Sequence, residues 1–300
     1  MTGSEEVLAG KPVPAAKPGP AGGVYNLYAC PACRSDLSLH ATRLVCTGCG
    51  ALYPLVDGIP DFILEDLSQS EVPLLQWANS HYDQLAPVYE RMRYPWRLLL
   101  HAGLAAPSLG DLVRLAAETA SAPGALVLDV ACGPATLGRR IASPDRHVYG
   151  IDVSMGMLRQ GLAYVQAGDV PNMHLARAKV EQLPFADGRF DAAVCAAALH
   201  LFADPALALA EIGRCLAPAA RLAVQTMSAE PRGIFRFKRV RKAAHSRGSH
   251  LFTLAELEAG VESAGFTDFR PQAFGSIIIF RATRKSDPLP YRPAGGPGPG

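Results

Sequence analysis

The stretch from residue 125 to residue 140, ALVLDVACGPATLGRR, limits the fold of this chain more than any other part of it. It begins with a short apolar run that contains Asp129 near its end, the length of a parallel strand covered on both faces. Small residues follow at positions 131–135, and such a turn lets a ligand approach the backbone. A helix is predicted next, with free N–H groups at its start. The pattern predicts an open α/β sheet whose site lies beyond the carboxyl ends of the strands.

The residues around this turn indicate which nucleotide it could bind. A pyrophosphate-binding turn needs the pattern G-x-G-x-x-G, but Gly133 is the one glycine at these positions. Asp152 ends a second predicted strand, HVYGIDVS, where a carboxylate can accept hydrogen bonds from two ribose hydroxyls. A ribose site beside a turn poorly suited to phosphate favours S-adenosylmethionine over NAD. The alternative is an ordinary strand–turn–helix connection with a capping aspartate.

Further segments resemble the class I methyltransferases, especially the group related to ubiquinone-pathway enzymes. The resemblance covers about residues 76–285, and it implies a Rossmann-like α/β core over residues 123–285. That core would have a seven-stranded sheet with helices on both faces, and S-adenosylmethionine as its cofactor. The matching segments are DVACGPA at 129–135, GIDVS at 150–154, LPF at 183–185, FD at 190–191, LH at 199–200, AEIGRCLAP at 210–218 and AGF at 264–266.

The same resemblance supplies a set of expected cofactor contacts. Lys179 stands where the family usually has an aspartate that binds the adenine amino group, and lysine cannot accept that bond. We therefore expect adenine recognition to depend on the backbone at Val180. Ala131 and Ala135 replace two glycines of the turn, which alanine tolerates only at negative φ. The expected cofactor-binding residues are Tyr82, Tyr89, Asp129, Ala131, Cys132, Gly133, Asp152, Val153, Met157, Lys179, Val180, Cys195 and Ala196.

His200 is the acid–base candidate beside the fourth predicted strand, residues 191–195. Its ordinary pKa range suits proton removal from an oxygen or nitrogen nucleophile. A lone histidine carries little information, so a histidine that packs at the start of a helix is the alternative. Cys195 and Ala196 are expected beneath the methylthio group, where small side chains leave room for an acceptor.

Four cysteines form a second pattern near the N-terminus. Cys30, Cys33, Cys46 and Cys49 have the spacing C-x2-C-x12-C-x2-C, which supplies four thiolates for a tetrahedral, structural zinc ion. A ribbon that folds without metal is the alternative, and a disulfide framework is disfavoured in a reducing compartment. The predicted module, residues 24–66, resembles the zinc-binding segment before some large-subunit ribosomal RNA guanine methyltransferases. It also resembles small activator proteins of tRNA and protein methyltransferases.

The remaining segments are expected to be helical or disordered. Residues 67–122 form a predicted helical lid and linker, in which Tyr82 and Tyr89 match a stretch that lies across the cofactor in related methyltransferases. A plain surface helix is the alternative. Residues 1–23 and 286–300 are rich in proline, glycine and alanine, so we expect disorder there.

Charge and hydropathy limit the partners. The net charge of +2 does not indicate nucleic acid, although residues 232–247 form a basic segment that could bind RNA or form a solvated helix face. No apolar run approaches the roughly 18 residues of a membrane span. The N-terminal sequence lacks the apolar core of a signal peptide, so we expect a cytoplasmic protein with reduced cysteines. The sequence does not indicate an oligomeric state.

Three functions remain open. The first is methyl transfer to a small molecule of secondary or quinone-type metabolism, on oxygen, carbon or nitrogen, favoured by the alanine-rich end of the fourth strand. The second is methylation of a guanine in ribosomal RNA, favoured by the cysteine module and the basic segment. The third is a non-catalytic or cyclase-like member of the fold, favoured by Lys179 and the altered turn glycines.

Overall fold

A computed structural model describes residues 25–91, 108–230 and 249–286 of the chain. The N-terminal tail predicted to be disordered, nearly all of the C-terminal one, the basic segment 232–247 and part of the lid region lie outside these described residues.

The N-terminal module contains a small antiparallel sheet in the order β1-β2-β3-β4. Asp57 and Gly58 connect its last two strands with φ values of 54° and 83°, the conformation that two-residue hairpin turns favour. The strands are β1 (Leu37–His40), β2 (Arg43–Cys46), β3 (Leu52–Val56) and β4 (Ile59–Pro60).

Two helices follow before the core. Helix α1 (Pro73–Leu85) begins with a proline, whose missing N–H costs nothing at that position, and continues into a 3-10 turn at Ala86–Val88. Helix α2 (Leu109–Thr119) begins at a capping box in which Ser108 and Asp111 satisfy each other's backbone N–H groups.

The core is one sheet of seven strands in the order β10-β11-β9-β8-β5-β6-β7. Strands β5 to β9 pair in parallel, whereas β11 is antiparallel to both of its neighbours. The strand order reverses between β5 and β8. This confirms the predicted seven-stranded sheet. The strands are β5 (Ala125–Val130), β6 (Arg146–Asp152), β7 (Met173–Arg177), β8 (Phe190–Ala196), β9 (Leu216–Met227), β10 (Phe266–Phe274) and β11 (Ile277–Arg284).

Helices cover both faces of this sheet, because alternate strand residues point to opposite sides. Leu128 belongs to an apolar cluster that includes residues of the helices at 205–215 and 254–263 and of the N-terminal module, whereas Val127 belongs to a second cluster with residues of α2 and of the helix at 155–167. The remaining helices are α3 (Gly138–Ile141), α4 (Met155–Ala167), α5 (Pro205–Cys215) and α6 (Leu254–Ser263).

Candidate functional site

A cavity lies beyond the carboxyl ends of β5, β6, β7 and β8, next to the point where the strand order reverses, with about 760 Å³ of empty space that is partly open to solvent. Open α/β sheets bind their ligands at this position. Helix α1 and the residues after it form one wall of the cavity. The predicted cofactor residues that line it are Tyr82, Tyr89, Ala131, Gly133, Asp152, Val153, Met157, Val180 and Ala196.

In the turn after β5, alternate residues have a positive φ angle, in the left-handed region of backbone conformation. Ala131, Gly133 and Ala135 have φ values of 54°, 54° and 56°, so the expectation of negative φ at the two alanines is wrong. A left-handed alanine costs roughly 1–2 kcal/mol. Two hydrogen bonds in the first half of the turn offset this cost, because the Cys132 N–H donates to Ile151 O at 2.9 Å and the Gly133 N–H donates to the Asp152 carboxylate.

The Asp152 carboxylate is buried and held from two sides. Its Oδ2 accepts the Gly133 N–H at 2.8 Å, and its Oδ1 accepts the Ser154 N–H at 2.9 Å. Burial raises the pKa of Asp152, while these N–H groups act in the opposite direction. Each oxygen has a further lone pair, so the oriented carboxylate can still accept hydrogen bonds from a ligand.

Three other predicted residues are buried and do not line the cavity. The Asp129 carboxylate is 1% exposed and accepts the Gly138 N–H at 2.9 Å, so it holds the start of α3. Burial raises its pKa to about 7. Cys132 and Cys195 are buried thiols, and burial raises the pKa of Cys195 to about 12. Direct contacts of these three residues with a cofactor stay predictions.

The side chain of Lys179 is also absent from the cavity wall. Its ammonium group pairs with Glu65, near the end of the N-terminal module. The next two residues, Val180 and Glu181, begin a 3-10 turn at Val180–Gln182, and both line the cavity. Sequence analysis missed Glu181, although an acid two residues before LPF was visible in the pattern.

His200 lies in the 3-10 turn Leu199–Leu201 and is absent from the cavity wall. Its side chain is buried, and its Nδ1 has no hydrogen-bond partner among the residues that the structure describes. Burial, and then the nearby His250, lower the pKa of His200 to about 4. These observations favour the packed histidine, and the catalytic role stays a prediction.

Two carboxylates attach α1 and the residues after it to the core, and sequence analysis missed both. Asp83 Oδ1 accepts hydrogen bonds from Ser154 Oγ at 2.6 Å and from the Gly156 N–H at 2.8 Å, at the start of α4. Glu90 accepts a hydrogen bond from Thr136 Oγ at 2.8 Å and pairs with Arg139. These bonds fix the segment that places Tyr82 and Tyr89 on the cavity wall, and its role as a lid stays a prediction.

The four cysteines of the N-terminal module converge. Their sulfur atoms all lie within 4.8 Å of one another, with 3.7 Å between Cys30 and Cys49 and 3.4 Å between Cys33 and Cys46. Zn–S bonds of about 2.3 Å in a tetrahedron place the sulfurs about 3.8 Å apart, so the group fits zinc. Four thiolate ligands leave no open position, as expected for a structural site.

Family models match both parts of the chain. Residues 127–219 match a methyltransferase domain, and residues 24–58 match Trm112p-like proteins. Part of the seven-stranded sheet is therefore similar to a methyltransferase domain, and the module that holds the four cysteines is similar to Trm112p-like proteins.

Methyltransferases are also among the curated proteins that are similar to this chain in sequence. An uncharacterised chloroplast methyltransferase of Arabidopsis thaliana is 29% identical over 64% of this chain and 59% of its own length. The demethylmenaquinone methyltransferase of Listeria monocytogenes is 31% identical over 47% of this chain and 58% of its own length. The chain thus spans little more than half the length of either relative.

Solved structures share the fold at low identity. The (4+2)-cyclase SpnF has a TM-score of 0.57 and 18% identity, over 70% of this chain and 95% of its own. Phosphoethanolamine N-methyltransferase 2 of Haemonchus contortus, solved with S-adenosyl-L-methionine, has a TM-score of 0.51 and 15% identity, over 58% of this chain and 52% of its own.

Among the described residues, no helix is both long and apolar enough to cross a membrane.

Proposed function

We propose that this protein transfers a methyl group from S-adenosylmethionine to an apolar small molecule of quinone or secondary-metabolite type. The observation that carries the proposal is the composition of the cavity. Ala196, Ala197 and Ala198 follow one another at the end of β8, on the same cavity as the Asp152 carboxylate. The wall continues with the apolar residues Leu201 and Phe202.

The residues present fit the cofactor. Asp152 would bind the two ribose hydroxyls through the free lone pairs of its carboxylate. Val153, Met157 and Val180 would pack against the adenine ring, and Gly133 lets the ligand approach the turn backbone. The bound cofactor would supply a sulfonium methyl group that is reactive towards nucleophiles. The contribution of the chain is to align the acceptor with that methyl group and to exclude water.

The three alanines explain why a flat apolar acceptor is favoured. Short side chains leave space next to the position of the methylthio group, and apolar walls disfavour a charged acceptor. The similarity to demethylmenaquinone methyltransferases, whose name gives a quinone as the methyl acceptor, supports this chemistry.

The zinc module has a proposed structural role in the same site. The Arg34 guanidinium donates to Leu183 O at 2.7 Å, and Gln182 Nε2 donates to Pro31 O at 3.1 Å. Arg177 pairs with Asp61 at 3.1 Å, just after the module's last strand. These contacts lie on one side of the segment 177–183, while Ala178, Val180 and Glu181 of that segment line the cavity. The module would therefore stabilise a wall of the cofactor site.

Ribosomal RNA is the second candidate acceptor, and the Trm112p-like match favours it. The basic segment that would bind RNA lies outside the described residues. Binding through such a segment would weaken steeply as salt is raised.

The test is a transfer assay with the zinc-loaded full chain and methyl-labelled S-adenosylmethionine. Demethylmenaquinol, a simple naphthoquinol and ribosomal RNA fragments are offered in parallel, with Asp152→Asn as the control for the ribose contact. We expect label in a quinol-type acceptor and much less of it with the control at the same cofactor concentration. Label in RNA alone would overturn the small-molecule proposal. If S-adenosylmethionine binds but label reaches no acceptor of either class, the non-catalytic alternative is supported.

A further inference from the structure

We propose that Asp83 of α1 is a positioning residue for the ribose site, because it holds the segment that directly follows the ribose carboxylate of Asp152. The inference rests on the proposed function, since it requires S-adenosylmethionine in the cavity. It goes further, because it makes the docking of α1 on the core a condition for recognition of the ribose hydroxyls.

The first observation is a continuous chain of hydrogen bonds from α1 to the ribose carboxylate. The buried Ser154 hydroxyl donates to Asp83 Oδ1 at 2.6 Å, and the Ser154 N–H donates to Asp152 Oδ1 at 2.9 Å. Ser154 Oγ also accepts the Met157 N–H at 3.0 Å, as the N-cap of α4. Asp83 thus fixes the orientation of Ser154, and the backbone N–H of Ser154 fixes the orientation of the Asp152 carboxylate.

The second observation is the close packing of α1 against the start of α4. The Gly156 N–H donates to Asp83 Oδ1 at 2.8 Å. A Cβ atom at position 156 would lie 2.9 Å from Asp83 Oδ1 and 3.0 Å from Asp83 Cα, closer than Cβ atoms normally approach. The lack of a side chain at Gly156 is therefore what lets Asp83 come within hydrogen-bond distance of this helix end.

A further contact holds α1 one helical turn earlier. Asn79 lies four residues before Asp83, so the two side chains are on the same face of α1. Arg177 Nη2 donates to Asn79 Oδ1 at 3.2 Å, and Arg177 Nε donates to Val153 O at 2.8 Å. Helix α1 is thus tied to both the residue after the ribose carboxylate and the start of α4.

The sign of the effect separates positioning by Asp83 from an effect of its charge. Burial, and to a lesser extent the nearby Asp83 carboxylate, raise the pKa of Asp152. Removal of the Asp83 charge would by itself favour the ionised form of Asp152, which is the form that can accept from both ribose hydroxyls. A charge effect therefore predicts equal or stronger ribose recognition in Asp83→Ala, whereas positioning predicts weaker recognition.

The experiment is calorimetric titration of the zinc-loaded full chain with S-adenosylhomocysteine and with its 2′-deoxy analogue, which lacks one ribose hydroxyl. We expect the parent to bind the ribose compound about tenfold more tightly or better, as for a hydrogen bond to a charged group. Asp83→Ala should lower that ratio about threefold or more. Asp83→Asn keeps an oxygen that can accept from both Ser154 and Gly156, so it should keep the ratio within about twofold of the parent's.

Two further variants separate positioning from general damage to the helices. Gly156→Ala introduces the Cβ atom that displaces Asp83, so it should lower the ratio even though alanine favours a helix more than glycine does. Gln84→Ala, at an exposed residue of α1, should leave the ratio unchanged.

The possible results separate the two proposals. If the parent binds neither compound, the proposed function is wrong, and this inference with it. If the parent binds both compounds equally, S-adenosylhomocysteine still has a site but Asp83 has no role in ribose recognition. If the parent discriminates and Asp83→Ala keeps the parent's ratio, the ribose site stands and Asp83 is not its positioning residue. Should Asp83→Ala fail to fold, Gly156→Ala decides the question in the same way.

Discussion

The buried carboxylate of Asp129 should make stability depend on pH in a direction opposite to that of most carboxylates. Its folded-state pKa of about 7 lies above the unfolded value of 3.8. Between these values the folded chain keeps a proton that the unfolded chain has lost. The contribution to stability is therefore fully present below about pH 4, and it is lost as pH rises to about 7.

The magnitude follows from the size of the shift. Each pH unit in this window costs roughly 1.4 kcal/mol, so the loss over about three units is at most about 4 kcal/mol. Asp129→Asn keeps an oxygen that can accept the Gly138 N–H but cannot ionise. The variant should therefore match the parent near pH 4 and be more stable than it at pH 8.

The assay is urea unfolding of the parent and the variant at pH 5, 6, 7 and 8. Asp191→Asn is the matched control, because Asp191 also accepts a backbone N–H, from Leu126 at 2.8 Å, but is exposed to solvent. The stability difference between the Asp129 variant and the parent should grow with pH, whereas the control difference should stay flat. A difference that does not change with pH would refute the argument that burial keeps Asp129 protonated.

Three further perturbations test the site and the module. Asp152→Ala should weaken S-adenosylhomocysteine binding by roughly 1.5–3 kcal/mol in calorimetry, and unchanged affinity would exclude the ribose assignment. Ala131→Gly relieves a left-handed alanine at φ 54° and should raise stability by about 0.5–1 kcal/mol in urea unfolding; a loss would mean that the methyl group packs better than we infer. Arg34→Ala removes the bond to Leu183 O, so it should weaken S-adenosylhomocysteine binding about three- to tenfold while the zinc content, by metal analysis, stays complete. The control is Arg43→Ala, at an exposed residue of β2, which should leave both the binding and the zinc content unchanged. Equal effects of the two arginine variants would argue against a role of the module in the cofactor site.

Local patterns in the sequence were sufficient for much of the fold and site. Asp152 could be predicted as a site residue because it ends a strand at a set distance along the chain from the turn, and both features can be read from a short stretch of sequence. The spacing of the four cysteines predicts the zinc site from the sequence alone in the same manner. Parallel strands end at one edge of a sheet, so predicting the strands also brought Gly133, Asp152 and Ala196 to one cavity.

Features that depend on distant contacts could not be predicted. Asp83 accepts from Ser154, 71 residues away, and Arg34 binds Leu183, 149 residues away. The left-handed conformation of Ala131 contradicts the preference of alanine, because tertiary hydrogen bonds at the turn override local propensity there. Lys179 could be recognised as unsuited to adenine, but its pairing with Glu65 required the position of the module.

Calorimetric titration of S-adenosylmethionine into the zinc-loaded full chain tests the central claim most directly. The account predicts saturable binding of one molecule per chain with a dissociation constant in the micromolar range, because Asp152 is oriented and the adenine wall is already formed. Absence of binding heat at several temperatures, with the fold and the zinc content intact, would contradict the claim that this cavity is a cofactor site.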